Sequence, residues 1–266
     1  MLDFNAKKGF ICDMDGVIYH GNRVLPGVAE FINWLHEEKK EYLFLTNNSG
    51  YTPRELHQKL ARMGLDVPEC HFYTSALATA AFLSEQAPGC SAYVIGEAGL
   101  FNALYDVGIT MNDVNPDYVV VGEAKAYSLD TLTKATNLVL GGAKLIGANS
   151  DVSGPIENGI APACRALVAP IEMATGKQAY FCGKPNPLMM HTGLRLLGCH
   201  SAEAAIIGDR MDTDVLSGLE SGISTVLVLS GVSTRRTLDT YAYRPSVVLD
   251  GVGDIVTAAH AAKKAN

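Results

Sequence analysis

In GFICDMDGV (Gly9–Val17) a short apolar run leads straight into Asp13 and Asp15, one residue apart and ahead of a glycine. Two carboxylates this close repel, and neither tolerates burial without something positive beside it. Stretches of related character recur along the chain. FLTNNS ends an apolar run on Thr46, Asn47 and Asn48. AIIGDRMDTD ends another on Asp209, with Asp212 and Asp214 following, and GKPNP carries Lys184 in a turn ahead of a proline. Aspartates with carbonyl and water oxygens suit Mg2+, a hard octahedral ion. The lysine, hydroxyl and amide suit phosphate oxygens, and a carboxylate nucleophile beside the cation suits phosphoryl transfer through an aspartyl-phosphate. Taken singly, each stretch also reads as an ordinary turn, cap or acidic helix start. The four together, in this order, argue for a site.

Such residues need strand ends to hold them. GFIC reads as a buried strand and EYLFLT (Glu41–Thr46) as the next. Residues two apart on a strand point the same way, so Asp13 and Asp15 are expected to share a face where the first strand ends. Ligands of open α/β sheets sit at the carboxyl ends of strands. Val28, Phe31, Ile32 and Leu35 recur at helical spacing, and Trp34 is expected to pack on the core. Thr52, Pro53 and Glu55 form a capping box at a helix start, and Gly64 is its natural stop. From Ala92 a second series begins: AYVIG, a helix through Leu100 and Leu104, DYVVVG, a helix through Leu132 and Leu138, then KLIGAN. AAIIGD (Ala204–Asp209) and STVLVL (Ser224–Leu229) resume the strands. The alternation is that of a parallel α/β protein. Periodicity does not separate one large sheet from two.

Composition narrows the classes. The 266 residues have a globular make-up and a formal net charge of −7, which opposes a nucleic acid polymer as main partner. No stretch nears the length of a membrane helix, so no membrane association is expected. The opening MLDFNAKKGF lacks a secretory apolar run, and the six scattered cysteines contain no C-x-x-C pair. A cytoplasmic setting follows as the expectation. The seven histidines show no metal-ligand spacing.

On these residues the chain resembles the haloacid dehalogenase superfamily of phosphohydrolases. DMDGV, LTNNS, GKP and GDRMDTD correspond in order to its four motifs, and the likeness narrows to the class IIA, NagD-like branch of nucleotide and 4-nitrophenyl phosphatases. The resemblance implies a Rossmann-like parallel sheet core with a large inserted α/β cap. The core is placed at residues 1–82 and 182–266, and the cap at residues 83–181. It implies that Asp13 attacks phosphorus and that Asp15 serves as acid and then base. Mg2+ is expected on the Asp13 carboxylate, the Asp15 carbonyl and the Asp209 carboxylate. Thr46, Asn47 and Lys184 are expected on the phosphoryl group and Asp214 in a supporting position. Arg210, Met211, Asp212 and Thr213 are expected to line the mouth for substrate.

The implied substrate is a small phosphorylated metabolite, with nucleoside monophosphates such as uridine monophosphate favoured. Pyridoxal phosphate, phosphoglycolate and sugar phosphates remain open, as does a monomeric or homo-oligomeric state. In ANSDVSGPIENGIAPACRALVAP (Ala148–Pro170) the chain departs from the family, because Arg165 stands where relatives commonly carry a small residue. It reads either as a surface arginine at a helix start or as a guanidinium reaching an anionic or planar substrate group. A dehalogenase would need neither Asp15 nor Asp209, and a P-type pump would have Thr in place of Asp15. An NAD-binding fold would carry G-x-G-x-x-G, which is absent. A phosphomutase and a catalytically silent phosphate sensor are the remaining alternatives.

Overall fold

The computed structural model describes residues 2–156 and 158–265; Met1, Glu157 and Asn266 lie outside them. The chain divides into two compact units. One comprises Met1–Thr46, His57–Phe72 and Pro187–Asn266, and the other Asn47–Leu56 and Tyr73–Asn186. Both are α/β. In sequence, the second is a large insertion within the first.

The first unit is built on a six-stranded sheet in the spatial order Val247–Leu249, Ser224–Val228, Ala204–Gly208, Gly9–Cys12, Glu41–Thr46, Phe72–Thr74. The strand nearest the N-terminus is therefore central. It pairs in parallel with Ala204–Gly208 on one side, Cys12 opposite Ile207, and with Glu41–Thr46 on the other, Cys12 opposite Phe44. The chain proceeds to one side of this strand first and returns to the other side later. That reversal is the switch point at which parallel sheets open a crevice. All four residues of Gly9–Cys12 are buried, as befits a parallel strand covered on both faces. The helix Val28–Glu37 covers it, with Val28, Phe31, Ile32, Trp34 and Leu35 buried. The Trp34 ring meets Phe10 edge-on at 5.4 Å and stacks on Phe31 at 6.2 Å. Burial of each such ring contributes about 1.5–3 kcal/mol.

The second unit carries its own five-stranded parallel sheet, in the order Tyr180–Phe181, Lys144–Gly147, Tyr118–Val121, Ser91–Ile95, Thr110–Met111. Two sheets, not one, thus resolve what periodicity left open. Its core gathers Ile95, Val119, Val121, Leu145, Val168 and Ile171 among others. An antiparallel hairpin, Ser153–Ile156 with Gly159–Pro162, adjoins the helix Cys164–Thr175 in sequence. The helix Pro53–Arg62 starts where its capping box predicts. The Thr52 amide and hydroxyl donate to Glu55, whose own amide donates back to Thr52 Oγ1 at 3.2 Å. Among the described residues no helix is long and apolar enough to cross a membrane. The six cysteines form no disulfide.

Candidate active site

The first unit concentrates its acids where the sheet reverses. Asp13 follows the central strand by one residue and Asp209 follows the neighbouring strand by one residue. Asp214 joins them. Carboxylate oxygens of Asp13, Asp209 and Asp214 all lie within 4.8 Å of one another, and the three residues are 9%, 2% and 1% exposed. Three ionised carboxylates at such separations repel by on the order of 3 kcal/mol per pair at an effective dielectric of about 20. The donor set is all hard oxygen, compact and shielded from solvent. It fits a divalent cation, which removes the repulsion and the desolvation penalty together. Asp214, expected in a supporting position, also offers a carboxylate oxygen within 4.8 Å of the other two.

Backbone shape makes the cluster possible. A Cβ on Gly16, whose φ is +79°, would come within 2.5 Å of Asp209 Oδ2. A Cβ on Gly208 would come within 2.1 Å of Asp214 Cβ. Both glycines let a carboxylate lie against the main chain. Asp209 is further fixed by the Val232 amide, which donates to Oδ2 at 2.6 Å, and by the Ser233 amide, which donates to its carbonyl at 3.1 Å.

Asp15 behaves differently. The strand ends at Cys12, before either aspartate, so the pleat does not align the pair as the sequence reading expected. Instead the Met14 carbonyl accepts from the amides of Val17, Ile18 and Tyr19, closing a tight turn. Asp13 is drawn in, whereas the Asp15 side chain is 54% exposed and its carboxylate sits 3.9 Å from His20 Nδ1. Partial desolvation lifts the Asp15 carboxyl above its ordinary pKa, opposed by Lys59 and His20. Lys59 lies over the Tyr19 ring at 3.8 Å, and burial lowers its pKa while Asp15 works against that. A carboxyl that retains its proton more readily is suited to donate it.

The stretch after Asp209 is a single π-helical turn, Met211–Val215, followed by a short α-helix, Leu216–Glu220. Such wide turns recur at functional sites. Arg210 forks onto its neighbour Asp212, with Nε and Nη2 donating at 3.2 and 2.9 Å, while its amide donates to Asp214 Oδ2 at 3.1 Å. Thr213 is buried. Met211 is 1% exposed and packs with Val215 and Leu227. Thr46, the last residue of its strand, is buried.

The second unit holds Asn47 and Lys184, and it holds them together. Asn47 Oδ1 accepts from the Lys184 amide at 2.7 Å, and Asn47 Nδ2 donates to the Lys184 carbonyl at 3.1 Å. One side-chain amide thus pairs with both the N–H and the C=O of one residue. Both residues are buried, Lys184 at 2% exposure. The Asn47 carbonyl accepts in turn from Ser75 Oγ and from Asn149 Nδ2. The other contact of Asn149 Nδ2 is Glu123 Oε1 at 2.6 Å, and Glu123 Oε2 accepts from the Ser49 amide at 2.8 Å and from the Ser49 hydroxyl.

Sequence reasoning passed over Glu123, Asn149 and the Val232–Ser233 amides. A signal for the first two was present: each stands two residues beyond the end of a parallel strand, Tyr118–Val121 and Lys144–Gly147, much as Asp13 and Asp209 stand one beyond theirs. Arg165, second in its helix, is engaged within the unit. Its guanidinium pairs with the buried Glu172 and lies 5.2 Å from the Phe181 ring centroid. Glu172 Oε1 also accepts from the Ala179 amide at 2.8 Å.

The sequence and fold have close counterparts. The family model described as haloacid dehalogenase-like hydrolase matches residues 10–110, and a second model of HAD-like hydrolases matches residues 181–255. The chain is 46% identical to a dihydroxyacetone phosphatase of Corynebacterium glutamicum, over 92% of this chain and 90% of that protein. It is 43% identical to the ribonucleotide monophosphatase NagD of Escherichia coli, over 93% and 98%. The crystal structure of a 4-nitrophenylphosphatase from Thermotoga maritima superposes with a TM-score of 0.93 at 32% identity, covering 97% of this chain and all of that one. The chain belongs to the haloacid dehalogenase-like hydrolases, in their NagD-like branch of phosphatases.

Proposed function

We propose that the protein is a Mg2+-dependent phosphomonoester hydrolase working through an aspartyl-phosphate on Asp13. The observation that carries this reading is the buried trio of Asp13, Asp209 and Asp214 at the carboxyl ends of two adjacent central strands. Asp13, Asp209 and the Asp15 carbonyl are the groups assigned to the cation, with the Asp214 carboxylate beside them. When bound, Mg2+ would neutralise the carboxylates and the phosphoryl oxygens. An Asp13 oxygen attacks phosphorus, and the ester oxygen leaves with the proton held by Asp15. Water then attacks the acyl phosphate, Asp15 takes the water's proton, and phosphate is released with Asp13 regenerated. Thr46, Asn47 and Lys184 are assigned to the phosphoryl oxygens, where a cation and fixed donors are worth most as charge shifts. The Rossmann-like core (residues 1–82 and 182–266) carries the chemistry in this reading, and the cap (residues 83–181) the choice of substrate. Disulfide-free thiols support a cytoplasmic setting.

The substrate is a small phosphorylated metabolite. Likeness to NagD favours nucleoside monophosphates such as uridine monophosphate. A second reading, a triose or sugar phosphate, gains from a 46% identical relative that is a dihydroxyacetone phosphatase. Phosphate release from a panel of both kinds of ester decides between them. The mechanism itself is tested by Asp13→Asn, expected to abolish turnover while the circular dichroism spectrum stays native; substantial residual activity refutes the nucleophile. Asp15→Ala is expected to spare 4-nitrophenyl phosphate, whose leaving group needs no proton, far more than an alkyl ester. Equal losses on both esters refute the acid.

A further inference from the structure

Glu123 has no part in the chemistry described above, yet it anchors the elements that hold Asn47 and Lys184. One carboxylate oxygen receives Asn149 Nδ2 at 2.6 Å. The other receives the Ser49 amide at 2.8 Å and the Ser49 hydroxyl, and Ser49 Oγ accepts from the Glu123 amide at 3.0 Å in return. Ser49 and Asn149 are both 0% exposed. Ser49 belongs to the Asn47 loop itself, and Asn149 Nδ2 also reaches the Asn47 carbonyl at 2.6 Å. Both arms of Glu123 therefore converge on one short segment. That segment carries the side-chain amide that pairs with both the N–H and the C=O of Lys184.

We propose that Glu123 is a positioning residue for phosphoryl transfer: its carboxylate, taking Asn149 with one oxygen and Ser49 with the other, fixes Asn47 and through it Lys184. Its chemistry is specific. Every partner on the carboxylate is a donor, so the position needs two acceptors. A glutamine would turn an NH2 toward either the Ser49 amide or the Asn149 amide, setting donor against donor and releasing one arm. Gly122 belongs to the same arrangement, because a Cβ there would come within 2.4 Å of Ser49 Oγ. Buried, fully satisfied polar networks hold one geometry, and small displacements of groups that meet a transition state are costly in rate.

The inference rests on the proposed phosphatase reading, and its test separates the two. Glu123→Gln, Asn149→Ala, the double variant and the wild type are compared with Asp13→Asn on one phosphate ester. The expected result for Glu123→Gln is a fall in kcat of about tenfold to a hundredfold with KM changed far less. Inhibition by vanadate, which adopts the geometry of the transferring phosphoryl group, should weaken in parallel, while inhibition by inorganic phosphate should barely change. Asn149→Ala should reproduce this pattern, and the double variant should lose less than the product of the single losses, since both act on one arm. A melting temperature that falls in Glu123→Gln while kcat and vanadate inhibition stay within about twofold of wild type overturns the proposal, leaving Glu123 a purely structural role. If Asp13→Asn is as active as wild type, the phosphatase mechanism itself has failed and not this assignment alone. If Glu123→Gln does not fold, Asn149→Ala and Ser49→Ala decide by the same split between rate and vanadate inhibition.

Discussion

The two units solve opposite electrostatic problems. In the first, Asp13, Asp209 and Asp214 crowd like charges into a nearly dry space, and the carboxylates cannot relieve one another. In the second, Asn47, Asn149, Ser49 and Glu123 form a chain in which donors meet acceptors, and the Lys184 backbone is held without reference to any bound molecule. One cluster fits a cation. The other is complete as folded. A phosphoryl transferase needs both kinds of part: a charge that the cofactor switches on, and a rigid set of donors that does not reorganise during the reaction.

Changes in the first cluster should therefore act on rate and metal dependence with little loss of fold, and changes in the second should cost fold and rate together. The largest effect is expected for Asp13→Asn, a fall in kcat of more than about 10⁴-fold, with thermal stability in chelator equal to or above wild type because one repelling charge is gone. A strongly destabilised Asp13→Asn protein breaks the contrast. Next comes Asn47→Ala, which strips both contacts from the Lys184 backbone. Each buried group left unsatisfied costs about 1–3 kcal/mol. A lowered urea midpoint and a reduced kcat are both expected, and a normal midpoint contradicts the clamp. The smallest effect on activity belongs to Arg165→Gly. Loss of the partly exposed Glu172 pair and of a helical side chain should cost about 1–2 kcal/mol, with the ranking of phosphate esters unchanged. A reordered ranking would return Arg165 to the substrate.

The sequence exposed some of this plainly and hid the rest for physical reasons. Strands that end on Thr46 and just before Asp13 and Asp209 were legible because buried parallel strands are nearly pure apolar runs and ligands gather at their carboxyl ends. The capping box at Thr52 was legible because it is local. Two sheets in place of one were not legible in periodicity, which reports on a segment while pairing is a long-range choice; the family resemblance implied them. Asp13 and Asp15 were expected to share a face because the pleat was carried past Cys12. A turn closed on the Met14 carbonyl intervenes and sends one aspartate inward and the other toward solvent. The burial of Met211 was not legible either, because the π turn that places it in a cluster with Val215 and Leu227 leaves no local pattern. Glu123 stands just past a strand end, but its role is set by Ser49 and Asn149 far along the chain, and that of Arg165 by Glu172 seven residues on in the same helix; no local pattern announces these pairings.

Thermal melting of the wild type and of Asp209→Asn, each with chelator and with saturating Mg2+, bears most directly on the claim that the acid trio is built for a cation. A ligand that binds only the folded state raises stability in proportion to the logarithm of its excess over the dissociation constant. The wild type should melt clearly higher with Mg2+. Asp209→Asn should melt in chelator at or above the wild type and gain little from the metal. A wild type indifferent to Mg2+, or an Asp209→Asn protein that responds to it as fully as the wild type, contradicts the account.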